Sequence, residues 1–176
     1  MQKIGNIAAM AACVAAAAVL TGCGGDSGAS AGASSPAAAP SRVCTADDLK
    51  TTGEFGKAPE ITVPDDCTPP KKLVIKDLSA GTGAEAKPGQ QVTMNYTLVT
   101  WSDKKQLDSS FGKEPFSLSL GAGEVIKGWD EGLTGIKQGG RRLLIIPPDL
   151  GYGKGGNGIA PNETLVFVVD AVAVPA

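Results

Sequence analysis

Residues 121–133 read Gly-Ala-Gly-Glu-Val-Ile-Lys-Gly-Trp-Asp-Glu-Gly-Leu, and the chain continues Thr-Gly-Ile to residue 136. From Ile126 the apolar residues fall at 126, 129, 133 and 136. Steps of three and four put them on one face of a helix. Gly128, Gly132 and Gly135 keep that helix short, because each glycine costs about 1 kcal/mol relative to alanine. It is the one helical segment in a region otherwise written in strands.

Working outward, Gln91 to Thr100 (QVTMNYTLVT) alternates at Val92, Met94, Tyr96 and Leu98, the period of a strand with one face buried. Lys71 to Leu78 alternates around Leu73 and Ile75. Residues 102–105 form a turn, and Gln106-Leu107-Asp108 begins the return. Phe116 to Leu120 alternates again. Arg142 to Ile146 (RLLII) is a continuous apolar run, as in a strand covered on both faces or lying at an interface. Thr164 to Val174 is the longest strand candidate. The predicted class is α+β: an antiparallel twisted sheet wrapped around one short helix, over residues 71–176.

The N-terminal 70 residues have a different composition. Lys3 precedes an alanine-rich apolar run, Ile4 to Leu20, short for a membrane span and patterned like an export signal. Its end, Leu20-Thr21-Gly22-Cys23, resembles the lipobox of bacterial lipoproteins. The resemblance implies cleavage before Cys23 and a lipid on its sulfur. Residues 1–22 are thus expected to be a signal, and 23–41 the lipidated cysteine with a Gly/Ala/Ser/Pro linker. Such a linker of 18 residues reaches roughly 20–25 Å, so the globular part is expected at the membrane surface. That surface is extracytoplasmic, and periplasmic in a cell with two membranes. Cys44 and Cys67 then remain as an even pair in an exported chain, which predicts a disulfide. Residues 42–70, which hold it, fit either an edge strand or two added to the main sheet or a small stapled flap.

Several functions are excluded. The 176 residues contain no histidine, which removes Ser-His-Asp and Cys-His catalysis and histidine zinc sites. The net charge of −2 leaves no footprint for nucleic acid. Gly151 to Gly158 is glycine-rich but lacks the Lys-Ser/Thr of a phosphate loop. No pair of carboxylates is spaced for hydrolysis. What remains is an apolar dish: Tyr96, Phe116, Val125, Ile126, Trp129, Tyr152 and Phe167 at strand ends and in the loops between them, with Asp108 beside them. Such a dish suits a small apolar group, and the same residues equally suit the core of a small sheet.

The blocks VTMNYTL, LDSS, PFSLSLGAGEVIKGWDEGLTGIKQGGRR, IPPDLGYG and APNETLVFVVD choose between these. In this order they resemble the FKBP-type peptidyl-prolyl cis–trans isomerases. The resemblance implies the family's fold and an enzyme that needs no cofactor and no metal. It also implies proline-containing polypeptides as substrates, a macrolide as a ligand of the same pocket, and a monomer. It assigns catalytic positions to Tyr96, Asp108, Ile126, Trp129, Tyr152 and Phe167. Trp129 is the floor, and the Ile126 backbone N–H and the Tyr152 hydroxyl are donors. Leu107, Phe116, Val125 and Ile159 are assigned to substrate contact. Leu107 stands where the family most often has Phe, and Leu150 where Tyr is common, which points to lowered activity or an altered preference for the residue before proline. With the lipobox, the expected function is a membrane-tethered isomerase acting on exported proteins. The alternative is a non-catalytic binding or chaperone lipoprotein on the same fold.

Overall fold

The structure, a computed structural model, describes residues 42–176. The expected signal, Cys23 and the linker lie outside the described residues. Eight strands and one helix follow in order: β1 (Lys50–Thr51), β2 (Ile61–Thr62), β3 (Val74–Ser79), β4 (Gln91–Thr100), β5 (Gln106–Ser109), β6 (Phe116–Ser119), α1 (Lys127–Gly132), β7 (Arg141–Ile146) and β8 (Leu165–Ala173). A single 3-10 turn, Pro148–Leu150, follows β7. The main sheet runs β3-β7-β8-β4, and the free edge of β4 is shared. β5 pairs with it over Thr97–Val99 and β6 over Gln91–Met94. Every pairing in this sheet is antiparallel.

All six residues of β7 are buried. Successive side chains of a strand point to opposite faces, so the expected double cover is real. Leu144 and Ile146 join the cluster under α1, with Met94, Leu98, Trp129, Leu133, Phe167 and Val169. Leu143 and Ile145 join a second cluster on the back of the sheet, with Val99, Trp101, Val166 and Val168.

Residues 42–70 cover that back face. They do not extend the main sheet. β1 and β2 pair only with each other, and Cys44, Leu49, Ile61, Val63 and Cys67 pack on the second cluster. Of the two arrangements open from sequence, the chain adopts the stapled flap. The Cys44–Cys67 disulfide is formed. Asp48 lies near both sulfurs and accepts bonds from the Thr45 N–H (2.7 Å) and hydroxyl (2.9 Å), so it braces a turn. A buried ion pair anchors the flap: Arg141 donates to both oxygens of Asp170 (2.6 and 2.8 Å) and to the carbonyls of Gly53 and Lys57 (both 2.6 Å). The Gly56 N–H donates to the same carboxylate (2.7 Å).

The alternation expected at Leu73 and Ile75 holds at Leu73, which packs against the helix-side cluster, and fails at Ile75. Ile75 is exposed, and Val74 and Leu78 pack on the opposite face, against the flap-side cluster. β3 is an edge strand whose inner face meets the flap; there Lys76 pairs with Asp47 at 2.5 Å.

α1 is shorter than its apolar spacing, six residues without a side-chain N-cap. A helix this short is not stable alone; its contacts hold it. A Cβ at Gly128 would lie 2.4 Å from Ile146 Cγ2, and one at Gly132 2.8 Å from Leu144 Cδ2. The glycines that weaken the helix are what let it lie against β7. Arg142, reaching from the helix side of β7, donates to the carbonyls of Gly132 (2.9 Å) and Thr134 (3.0 Å). Its Nε donates to Asp77 (2.6 Å). One arginine therefore closes the C-terminal end of α1 and ties it to β3.

Candidate functional site

Trp129 lies in α1, and the close approach of the helix to β7 fixes its depth. Its ring is buried, 4% exposed, and three aromatic rings stand edge-on or steeply tilted around it. Tyr96 on β4 and Phe167 on β8 each have centroids 5.3 Å away, at 83° and 79°. Phe116 on β6 is 5.9 Å away at 79°. Edge-to-face packing is the favoured arrangement for such rings. Tyr96 and Phe167 belong to strands paired through Leu98↔Phe167 and Tyr96↔Val169, so the sheet register sets the box.

The box opens into a cavity of about 210 Å³ lined by Tyr96, Leu98, Asp108, Phe116, Glu124, Val125, Ile126, Trp129, Tyr152 and Phe167. Drug-sized sites run to about 300–1,000 Å³; this one suits a single small ring with its flanking atoms.

Eight of the ten residues assigned from sequence to catalysis or substrate contact thus meet in one cavity. Leu107 and Ile159 are not in its lining. Leu107 precedes Asp108 on β5, and neighbours on a strand face opposite ways. With Asp108 turned to the cavity, Leu107 faces a separate depression with Gln106, Gly158 and Ala160. Ile159 is buried in the core cluster. Two lining residues were missed. Leu98 was legible, because it shares the face of Tyr96 two residues earlier. Glu124 carries no periodic signal; the turn between β6 and α1 brings it to the rim.

The polar groups have distinct states. The Tyr96 hydroxyl donates to Asp108 Oδ2 at 2.5 Å. That bond holds the Asp108 carboxyl below its ordinary range, aided by the Ser109 N–H and Lys113 and opposed by partial burial. Burial first, then Asp108, pushes the Tyr96 hydroxyl well above its ordinary value of 10. At neutral pH the pair is a neutral phenol and a carboxylate. Among the described residues the Ile126 N–H and the Tyr152 hydroxyl make no hydrogen bond. The buried Trp129 indole N–H also has no partner there.

The comparisons with known proteins agree with this geometry. The family model described as FKBP-type peptidyl-prolyl cis-trans isomerase matches residues 83–172. An FK506-binding protein of Streptomyces anulatus is 48% identical over 120 residues, 66% of this chain and 96% of the relative. One from Neisseria meningitidis serogroup B is 45% identical over 106 residues, 58% of this chain and 95% of its own. Among solved structures, AtFKBP13 superposes with a TM-score of 0.54 at 33% identity, over 58% of this chain and 93% of that one. FkpA from Escherichia coli gives 0.53 at 45% identity, over 58% of this chain and 47% of that one. The fold, the aromatic box and near full-length agreement with the two FK506-binding proteins lead to one assignment: this chain belongs to the FKBP-type peptidyl-prolyl cis–trans isomerases.

Proposed function

We propose that the Trp129 box is the isomerase site of a lipid-tethered, extracytoplasmic enzyme, and that it works by differential solvation of the prolyl amide. The planar Xaa-Pro bond is held by resonance behind a barrier of about 18–20 kcal/mol. That resonance separates charge between oxygen and nitrogen, and twisting the bond removes it. An aromatic box therefore favours the less polar, twisted amide over the planar one, which is preferential binding of the transition state. The prolyl ring rests on Trp129 between Tyr96, Phe116 and Phe167. The preceding carbonyl accepts from the Ile126 N–H, and the Tyr152 hydroxyl donates at the rim. Asp108 keeps the Tyr96 ring oriented. No proton is transferred and no covalent intermediate forms.

The observation that carries this reading is the pairing of an aromatic box, open on one side, with two polar donors that have no partner among the described residues. Tethering is supported by the lipobox at Leu20–Cys23, and the extracytoplasmic location by the disulfide, which belongs to oxidising compartments. Proline-limited refolding of a reporter protein tests the site. The wild type accelerates it, rapamycin abolishes the acceleration, and Tyr152→Phe lowers it about ten-fold. Ligand binding without acceleration would overturn the catalytic reading. Metabolic labelling with a radioactive fatty acid tests the anchor: the wild type incorporates label and Cys23→Ser does not.

A further inference from the structure

The turn that delivers Val125 and Ile126 to the cavity has little backbone pairing. Gly121 and Gly123 take φ of +77° and +74°. The Ala122 N–H donates to Ser119 at 3.3 Å, and the chain next engages the main framework at the Ile126 carbonyl, which accepts from the Trp129 and Asp130 N–H groups. Two carboxylates hold the remainder. Glu124 accepts the Ser119 N–H at 2.9 Å. Asp130 is bidentate: its Oδ1 accepts the Gly121 N–H at 2.8 Å and its Oδ2 the Gly123 N–H at 3.1 Å.

Asp130 directly follows Trp129 in α1. The helix that supplies the floor of the cavity therefore also clamps the wall. We propose that Asp130 is a positioning residue: its carboxylate fixes residues 121–126 against α1, so that the Ile126 N–H meets the substrate carbonyl while the prolyl ring rests on Trp129. This rests on the pocket reading above.

The chemistry favours a carboxylate at this place. Two N–H donors converge on it, and an ionised group offers two acceptors with charge-assisted bonds about twice as strong as neutral ones. Asparagine keeps the shape but turns a donor toward one of the two N–H groups. Alanine removes both bonds. Reacting groups displaced by about 1 Å lose up to about 100-fold in rate, so loosening this turn should reach catalysis without any change in the aromatic box. A carboxylate in the first turn of a helix can also act merely on the helix dipole. In that case Asp130 would affect stability alone, as any exposed acid beside it does.

The experiment compares the full-length wild type with Asp130→Asn, Asp130→Ala and, as a neighbouring acid outside the site, Glu131→Gln. Rates are normalised to the folded fraction from circular dichroism, and the Gly121 and Gly123 amides are followed by NMR. The expected order of kcat/KM is wild type, then Asp130→Asn about ten-fold lower, then Asp130→Ala lower still. Glu131→Gln should match the wild type. One or both glycine amides should move upfield in Asp130→Asn, and the loss should fall on kcat with KM within about three-fold. Should Asp130→Ala fail to fold, the isosteric Asn variant decides. Asp130→Asn within two-fold of an active wild type, with the glycine amides shifted, would overturn the positioning role and leave the pocket reading standing. A wild type without isomerase activity would instead overturn the pocket reading itself.

Discussion

The two faces of the main sheet are made from alternate residues of the same strands, yet they are finished in opposite ways. On β7, Leu144 and Ile146 face α1 while Leu143 and Ile145 face the flap. The helix side is covered by the six residues of α1, two of them glycines, together with buried residues outside it such as Ala86, Leu120, Leu133 and Ile136, and carries a cavity lined by donors left unpaired within the described chain. The flap side is closed by a disulfide, an apolar cluster and a saturated ion pair. Side chains on one face are neighbours of those on the other through a single backbone, so the contacts that hold the back face also constrain the strands that carry the front. Both sides bury an apolar cluster, but only the flap side adds a covalent and an ionic tie, and only the helix side carries the aromatic cavity.

The strongest way to break this division is Asp170→Ala. It strands Arg141 inside the protein and removes the acceptor of the Gly56 N–H. Breaking a buried pair by removing one partner costs about 3–5 kcal/mol, read as a fall in the urea midpoint. Activity per folded molecule should stay within two-fold. A larger fall would identify Phe111 as the link between faces, because its ring lies 5.8 Å from the Arg141 guanidinium in the loop that follows Asp108. Next in size is the double replacement of Cys44 and Cys67 by serine. The lost loop constraint is worth about 3 kcal/mol, again with activity per folded molecule retained.

Gly128→Ala should give the opposite signature. Its Cβ meets Ile146 Cγ2 at 2.4 Å, so α1 must lift from the sheet and take Trp129 with it. Overpacking of this kind costs about 1–3 kcal/mol, less than either back-face change. The loss of kcat/KM should nevertheless exceed both. Equal activity in Gly128→Ala and wild type would show that the depth of Trp129 is not critical.

Much of this division was legible in the residues. The unbroken Arg142–Ile146 run signalled a strand with two covered faces, and β4 displayed its inner face as Val92, Met94, Tyr96 and Leu98. What covers the back was not legible. Residues 42–70 hold few apolar side chains, and a flap differs from an edge strand only in hydrogen bonds that sequence does not display. Periodicity failed at Ile75 for a related reason: an edge strand carries apolar residues on both faces, and the flap packs on Val74 and Leu78, opposite Ile75. Within the site, the family blocks located the aromatic box but also placed Leu107 in it. The strand alternation that puts Asp108 in the cavity turns Leu107 away. The two arginines look alike in sequence. Only their alternation sends Arg141 to the flap and Arg142 to the end of α1.

The smallest expected effect separates electrostatics from packing inside the front face. Tyr96→Phe keeps the ring against Trp129 and removes the hydroxyl that Asp108 accepts. The stability lost at neutral pH should be about 1 kcal/mol, the net worth of one hydrogen bond, moderated by the half-exposed carboxylate. Its pH dependence has a definite sign. Asp108 is held below its ordinary value of 3.8 in the folded state. Its contribution is therefore complete above that value and disappears as pH falls through the lower, folded one. Tyr96 is shifted upward, so its contribution is complete below pH 10 and declines above it. The difference in urea midpoint between wild type and Tyr96→Phe should be flat from pH 6 to 9 and shrink below about pH 4. A difference that persists unchanged into acid would mean that the hydroxyl acts through packing, because a bond to an ionised Asp108 cannot outlast the charge that strengthens it.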